Sequence, residues 1–195
     1  MCPINIKYCL LLITLAVALS GCTDSGKPKL LMYDDGKMEN KLCLYDKGHA
    51  IHFTKPRGDW AIKGVRFFAM RQGSSTGVDR RIVMTICDSS AQPISEYSVL
   101  HNLVDTSIEK WCPINVNPPI LCPDDFWIII DTNSTRESQI YIGADTNVKV
   151  SHSGMGNPGE TPSGLEGVYD WMIRVELQKL TKEDLDKLTG KKPAE

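Results

Sequence analysis

From Leu30 onward the chain is a succession of short apolar or alternating runs broken by turn residues at intervals of about 8 to 12 positions, the pattern of a β-sandwich or barrel. The runs predict ten strands, over 30–33, 42–45, 50–54, 60–70, 82–87, 94–100, 108–116, 126–131, 139–144 and 168–177. In the last, Tyr169, Trp171, Ile173, Val175 and Leu177 share one face, while Asp170, Arg174 and Glu176 share the other. One face packs and the other meets solvent. Phe126-Trp-Ile-Ile-Ile130 is apolar on both faces and predicts a central strand covered on both sides. Across Gly64 the apolar register moves from Trp60 and Ile62 to Val65, Phe67 and Ala69, which predicts a bulge. Only the C-terminus reads as helical: Thr181-Lys-Glu-Asp184 resembles a capping box, Leu180 and Leu185 are placed as a staple, and Gly190 can end the helix.

The first 21 residues stand outside this pattern. Lys7 precedes the apolar run 8–19, which is about a dozen residues where a bilayer-spanning helix takes about 20. A secretory signal peptide is expected over 1–21. Its end, Leu19-Ser-Gly-Cys22, resembles the lipobox of bacterial lipoproteins, in which the cysteine is diacylated and becomes the new N-terminus. That resemblance implies lipidation at Cys22 and a cell-membrane or outer-membrane anchor facing the periplasm or exterior, because two or three acyl chains hold a protein durably where one does not. Residues 22–29 would be a tether, 30–178 the sandwich, and 179–195 a short helix and tail.

Length and charge fit this division. The 195-residue chain carries 22 basic and 24 acidic residues with no long run of either sign, which excludes a dedicated nucleic-acid binder. Its 42% hydrophobic content excludes intrinsic disorder. Of seven cysteines, Cys2 and Cys9 leave with the signal and Cys22 is lipidated, so Cys43, Cys87, Cys112 and Cys122 remain in an exported domain. An even count there predicts two disulfides, Cys112–Cys122 and Cys43–Cys87. Zinc is disfavoured by the irregular spacing, and no metal is expected. Free buried thiols are the competitor, since Cys87 lies in an apolar run.

Several stretches together resemble a jelly-roll-like β-sandwich module of exported bacterial and archaeal proteins: Gly48-His-Ala-Ile-His-Phe-Thr54, Trp60-Ala-Ile-Lys-Gly-Val65, Phe126–Ile130, Ile140-Tyr-Ile-Gly-Ala-Asp145 and Tyr169-Asp-Trp-Met-Ile-Arg174. The module occurs beside proteases or as a lipoprotein's single domain. The resemblance implies an all-β, antiparallel, jelly-roll-like sandwich and brings no catalytic residues with it.

Candidate chemistry is sparse. Gly154-Met-Gly-Asn-Pro-Gly159 matches the G-x-G-x-x-G spacing, but Pro158 follows and no βαβ unit surrounds it, so it reads as a loop and no cofactor is expected. His49 and His52 point to opposite faces of a strand, and His101 near Asp105 has no nucleophile turn. The loop 145–167 is long and rich in Gly and Pro, and it places Asp145, Asn147, Ser151 and His152 at the sandwich rim, where oxygen donors suit calcium or sugar hydroxyls. Trp127 and Trp171 read as core, leaving Trp60 and Trp111 to stack on sugar rings. The expected role is non-catalytic binding of carbohydrate, envelope polymer or protein by loops 55–59, 71–80 and 145–167. The alternative is a structural subunit of an envelope complex with no small ligand.

Overall fold

A computed structural model of the chain describes residues 28–73, 80–164 and 169–190. Residues 1–27, which hold the expected signal peptide, Cys22 and most of the expected tether, and residues 74–79, 165–168 and 191–195 lie outside the described residues.

Among the described residues, twelve strands form two antiparallel sheets. They are β1 (Lys29–Leu31), β2 (Asn40–Leu42), β3 (Gly48–Thr54), β4 (Trp60–Gly73), β5 (Arg81–Asp88), β6 (Pro93–Leu100), β7 (Lys110–Leu121), β8 (Asp125–Asp131), β9 (Ser138–Asp145), β10 (Ser153–Gly156), β11 (Asp170–Trp171) and β12 (Ile173–Lys179). One sheet of seven strands runs β1-β12-β4-β9-β11, with β2 paired to β9 and β7 to β4. The other runs β10-β3-β8-β5-β6. Between them lies one core that includes Ile51, Phe53, Phe67, Ile86, Phe126, Ile128, Trp171 and Val175.

The expected bulge is present: Gly64 and Ile62 oppose the consecutive Glu176 and Leu177 of β12, so Lys63 is the extra residue there, and the register with β7 also breaks between Ile62 and Gly64, where residues 116–119 of β7 are in excess. The last strand splits at Met172 into β11 and β12, and its odd positions are buried as alternation requires. Helix α1 (Lys182–Thr189) starts at the Thr181 capping box with Asp184 and ends at Gly190, which has φ +68°. The strand β8 is covered on both faces. Phe126, Ile128 and Ile130 enter the core, and Ile129 packs outside with Ala50, Cys87 and Trp127.

The disulfide pairing is overturned, because Cys43, Cys87, Cys112 and Cys122 are all free thiols. Cys112 opposes Phe67 on β4 while Leu121, just before Cys122, opposes Ala61. Six residues of strand separate those partners, about 20 Å at ~3.3 Å per residue, against the ~7 Å that a disulfide tolerates. Cys87 faces outward from the five-stranded sheet, whereas Cys43 follows β2 in the other sheet, so the core stands between them. Close spacing in sequence does not bring the two thiols together, because an extended strand, not a loop, joins Cys112 to Cys122. Burial pushes the thiols of Cys87 and Cys112 up to about 11 and that of Cys122 up to about 12, which leaves them unreactive.

Candidate functional site

The segment 145–156, between β9 and the end of β10, crosses the rim of the sandwich and runs down beside β3. It is tied there by the amide of His52, which donates to the carbonyl of His152 at 2.9 Å, and by the β3–β10 ladder from Ile51 to Gly48. The glycines of the G-x-G-x-x-G spacing have a packing role. A Cβ on Gly154 would stand 2.6 Å from the Ser163 carbonyl oxygen, and one on Gly156 3.0 Å from the Pro162 Cα. Their bare backbone lets 162–163 fold back over β10, with Met155 and Ser163 exchanging backbone hydrogen bonds.

Two cavities flank this segment and share His152. The rim cavity, about 330 Å³, is lined by residues that include Tyr33, Asp35, Asp145, Asn147, Lys149 and Asp170. The second is a groove of about 360 Å³ over the outer face of the five-stranded sheet, lined by His52, Ser89, Trp127, Ser151, His152, Ser153, Pro162 and Gly164. His52 and Trp127 are cross-strand partners on β3 and β8, with ring centroids 4.9 Å apart, and they form its floor.

The His152 side chain is held on two sides. Its ring lies 3.6 Å from that of Tyr33 with 5° between planes, and Tyr33 in turn stacks on Phe53, which stacks on Phe126. The imidazole therefore ends a column of rings that starts in the core. In its plane it is held by Asp170, whose carboxylate accepts from His152 Nδ1 at 3.1 Å, from the His152 amide at 2.6 Å and from Ser153 Oγ at 3.0 Å. Asp170 is fully buried, against the expectation from alternation, because 151–153 folds over β11 and supplies those donors. An ionised carboxylate only accepts, so Nδ1 carries a proton, and in the neutral imidazole Nε2 presents a lone pair. Nε2 has no partner among the described residues. Ser151 and Ser153 flank His152, but their hydroxyls donate to the Tyr169 carbonyl and to Asp170.

Asp145 is buried beside Asp170 in the β9–β11 register, a costly placement for two acids. Its oxygens are committed to the amides of Asp35 at 2.7 Å and Asn147 at 2.8 Å. Oxygens of Asp35, Glu39 and Asp145 lie within 4.8 Å of one another, a donor set of the kind calcium takes, and each residue also caps a backbone amide.

Of the expected binding residues, Asp145, Asn147 and His152 come together in the rim cavity, with Asn147 exposed. The two tryptophans do not join them. Trp60 is buried, and its indole donates to the Arg57 carbonyl at 3.1 Å. Trp111 lies on the outer face of the seven-stranded sheet, under the Arg174 guanidinium at 4.2 Å and against the edge of Phe68. Trp127, expected in the core, is the tryptophan that lines a groove. Residues 55–59 line neither cavity. Sequence reasoning also passed over Tyr33 and Asp170. The one available signal for Asp170 was an acid between two buried aromatics, Tyr169 and Trp171.

No family model and no curated protein matches the chain. Among solved structures it is similar to the clostridial cysteine protease Cwp84 after propeptide cleavage, at 11% identity and a TM-score of 0.59, covering 78% of this chain and 40% of that one. It is also similar to a structure of the cysteine protease and lectin-like domains of Cwp84, a surface layer associated protein of Clostridium difficile, at 13% identity and a TM-score of 0.59, covering 78% of this chain and 36% of that one. The chain thus spans well under half the length of the proteins it matches, and at these identities the likeness is one of fold: an antiparallel β-sandwich.

Proposed function

We propose that this chain is an exported lipoprotein, anchored through Cys22, whose sandwich binds a carbohydrate or other cell-envelope polymer without transforming it. The observation that carries the reading is the groove over β3 and β8. There a half-buried tryptophan ring lies beside two imidazoles and several hydroxyls in a trough of sugar size. Aromatic faces take the apolar face of a pyranose while fixed polar groups meet its hydroxyls. A fold shared with a chain that includes a lectin-like domain, in a surface layer associated protein, supports the same reading. A structural subunit would instead show a broad apolar patch and no such groove.

The test is made on the full-length protein in membranes of its host, by co-sedimentation with purified cell-wall polysaccharide. Wild type is expected to carry acyl mass, follow the membrane and bind the polymer. Cys22→Ser is expected to lose the acyl mass and the membrane association while still binding the polymer, and Trp127→Ala to lose only the polymer. Shortening of the polymer, or binding indifferent to Trp127, would overturn the reading.

A further inference from the structure

We infer that the groove over Trp127 selects an uncharged, hydroxyl-rich sugar chain over an anionic one, with His152 Nε2 as an oriented acceptor for a ligand hydroxyl. The inference rests on the binding function proposed above and specifies its ligand class.

Three observations lead to it. First, the described lining of the groove is two histidines, a tryptophan, three serines, a proline and a glycine, with no Lys or Arg among them to neutralise a carboxylate or phosphate. Anionic polymers are recognised through such cations, in bidentate or point-charge contacts. The charged groups packed around the groove are mostly acidic. Asp170 lies behind His152, Asp88 caps the turn next to Ser89, Asp125 opens β8 two residues before Trp127, and Glu160 lies in the turn joined to Ala91. Lys149 lines the rim cavity beyond His152. The surrounding field therefore disfavours an anion.

Second, His152 is preorganised as a hydrogen-bond acceptor. The Tyr33 stack sets its ring plane, and Asp170 fixes its rotation and, in the neutral ring, holds the proton on Nδ1 and leaves the lone pair on Nε2. A hydroxyl supplies the donor such a lone pair needs, whereas a carboxylate or phosphate diester has none to offer. Third, the platform beside it is an indole face, which meets the C–H face of a neutral pyranose without desolvating a charge. Each element alone suits several ligands. Together they suit a neutral ring seated on Trp127 with one hydroxyl donated to His152.

The experiment is calorimetric titration of the full chain with soluble polysaccharides: laminarin, dextran and galactomannan as neutral probes, polygalacturonate and poly(glycerol phosphate) as anionic ones. Binding of at least one neutral probe and of neither anionic one is expected. Asp170→Asn is nearly isosteric. Its amide donates to Nδ1 and turns Nε2 into an N–H donor, so neutral-probe affinity is expected to fall about tenfold with the melting temperature little changed. His152→Gln, which keeps an acceptor oxygen, should recover part of the affinity that His152→Ala loses. Binding of an anionic probe that depends on Trp127 would overturn the ligand class and leave the binding function standing. Undiminished neutral-probe binding by Asp170→Asn would overturn the role of His152. Failure of every probe to bind would overturn the binding function itself.

Discussion

The outer faces of the two sheets each carry a tryptophan, and they treat it in opposite ways. On the seven-stranded sheet Trp111 is roofed by Arg174, whose guanidinium is held by the fully buried carboxylate of Asp34, and Arg66 pairs with Glu176 nearby. On the five-stranded sheet Trp127 lies between its cross-strand partners His52 and Cys87, and no described Lys or Arg lines the groove above it. An aromatic ring that a cation already covers is a structural element, while one left beside preorganised polar groups is a platform. The tryptophan's surroundings, more than its exposure, decide which it is.

That contrast can be broken most severely at the roof. Arg174→Ala strands the Asp34 carboxylate without its partner and is expected to cost about 3 kcal/mol in denaturant unfolding, as removal of one member of a buried pair does. The uncovered Trp111 should still bind no polysaccharide, because nothing on that face replaces His152 and the serines. New binding at Trp111 would erase the distinction.

A comparable effect separates the fully buried His49 from the histidines of the groove. His49 is fully buried between Trp171 and the carbonyls of Leu42 and Ile130, and burial lowers its pKa from 6.5 to about 4. The unfolded chain therefore binds the proton more readily. This contribution to stability is complete above pH 6.5 and is lost as the pH falls toward and below 4, on the order of 3 kcal/mol in total. Unfolding free energy measured at pH 7 and pH 4 should differ less in His49→Gln than in wild type. An equal difference would mean that His49 does not contribute.

The smallest effect is expected at Arg66 and Glu176, which are both about one-third exposed. Glu176→Gln should change stability by less than ~1 kcal/mol, as for other surface pairs. A larger loss would make the ion pairs themselves, and not the covering of Trp111, the feature that distinguishes this face.

How far the chain announces this arrangement depends on the residue. The bulge at Gly64, the two-faced strand around Ile128 and the Thr181 cap follow from local pattern, and all are present. Trp127 was misplaced for a physical reason: in a strand apolar on both faces, periodicity cannot tell the core side from the outer side. Alternation put Asp170 in solvent, and only the tertiary fold of 151–153 over β11 makes it buried and satisfied. The strand β10 was read as loop because Gly154 and Gly156 have no side chains to alternate. Their reason lies in Pro162 and Ser163, which pack against them. His152 was legible as a rim residue, but not its clamp, since Tyr33 and Asp170 come from opposite ends of the domain.

The most direct test of the platform assignment follows the indole N–H resonances of the four tryptophans during titration with the neutral polysaccharide that binds in the calorimetric panel. The account predicts that Trp127 shifts first and furthest while Trp60, Trp111 and Trp171 stay in place. A shift centred on Trp111, with Trp127 unmoved, would contradict it.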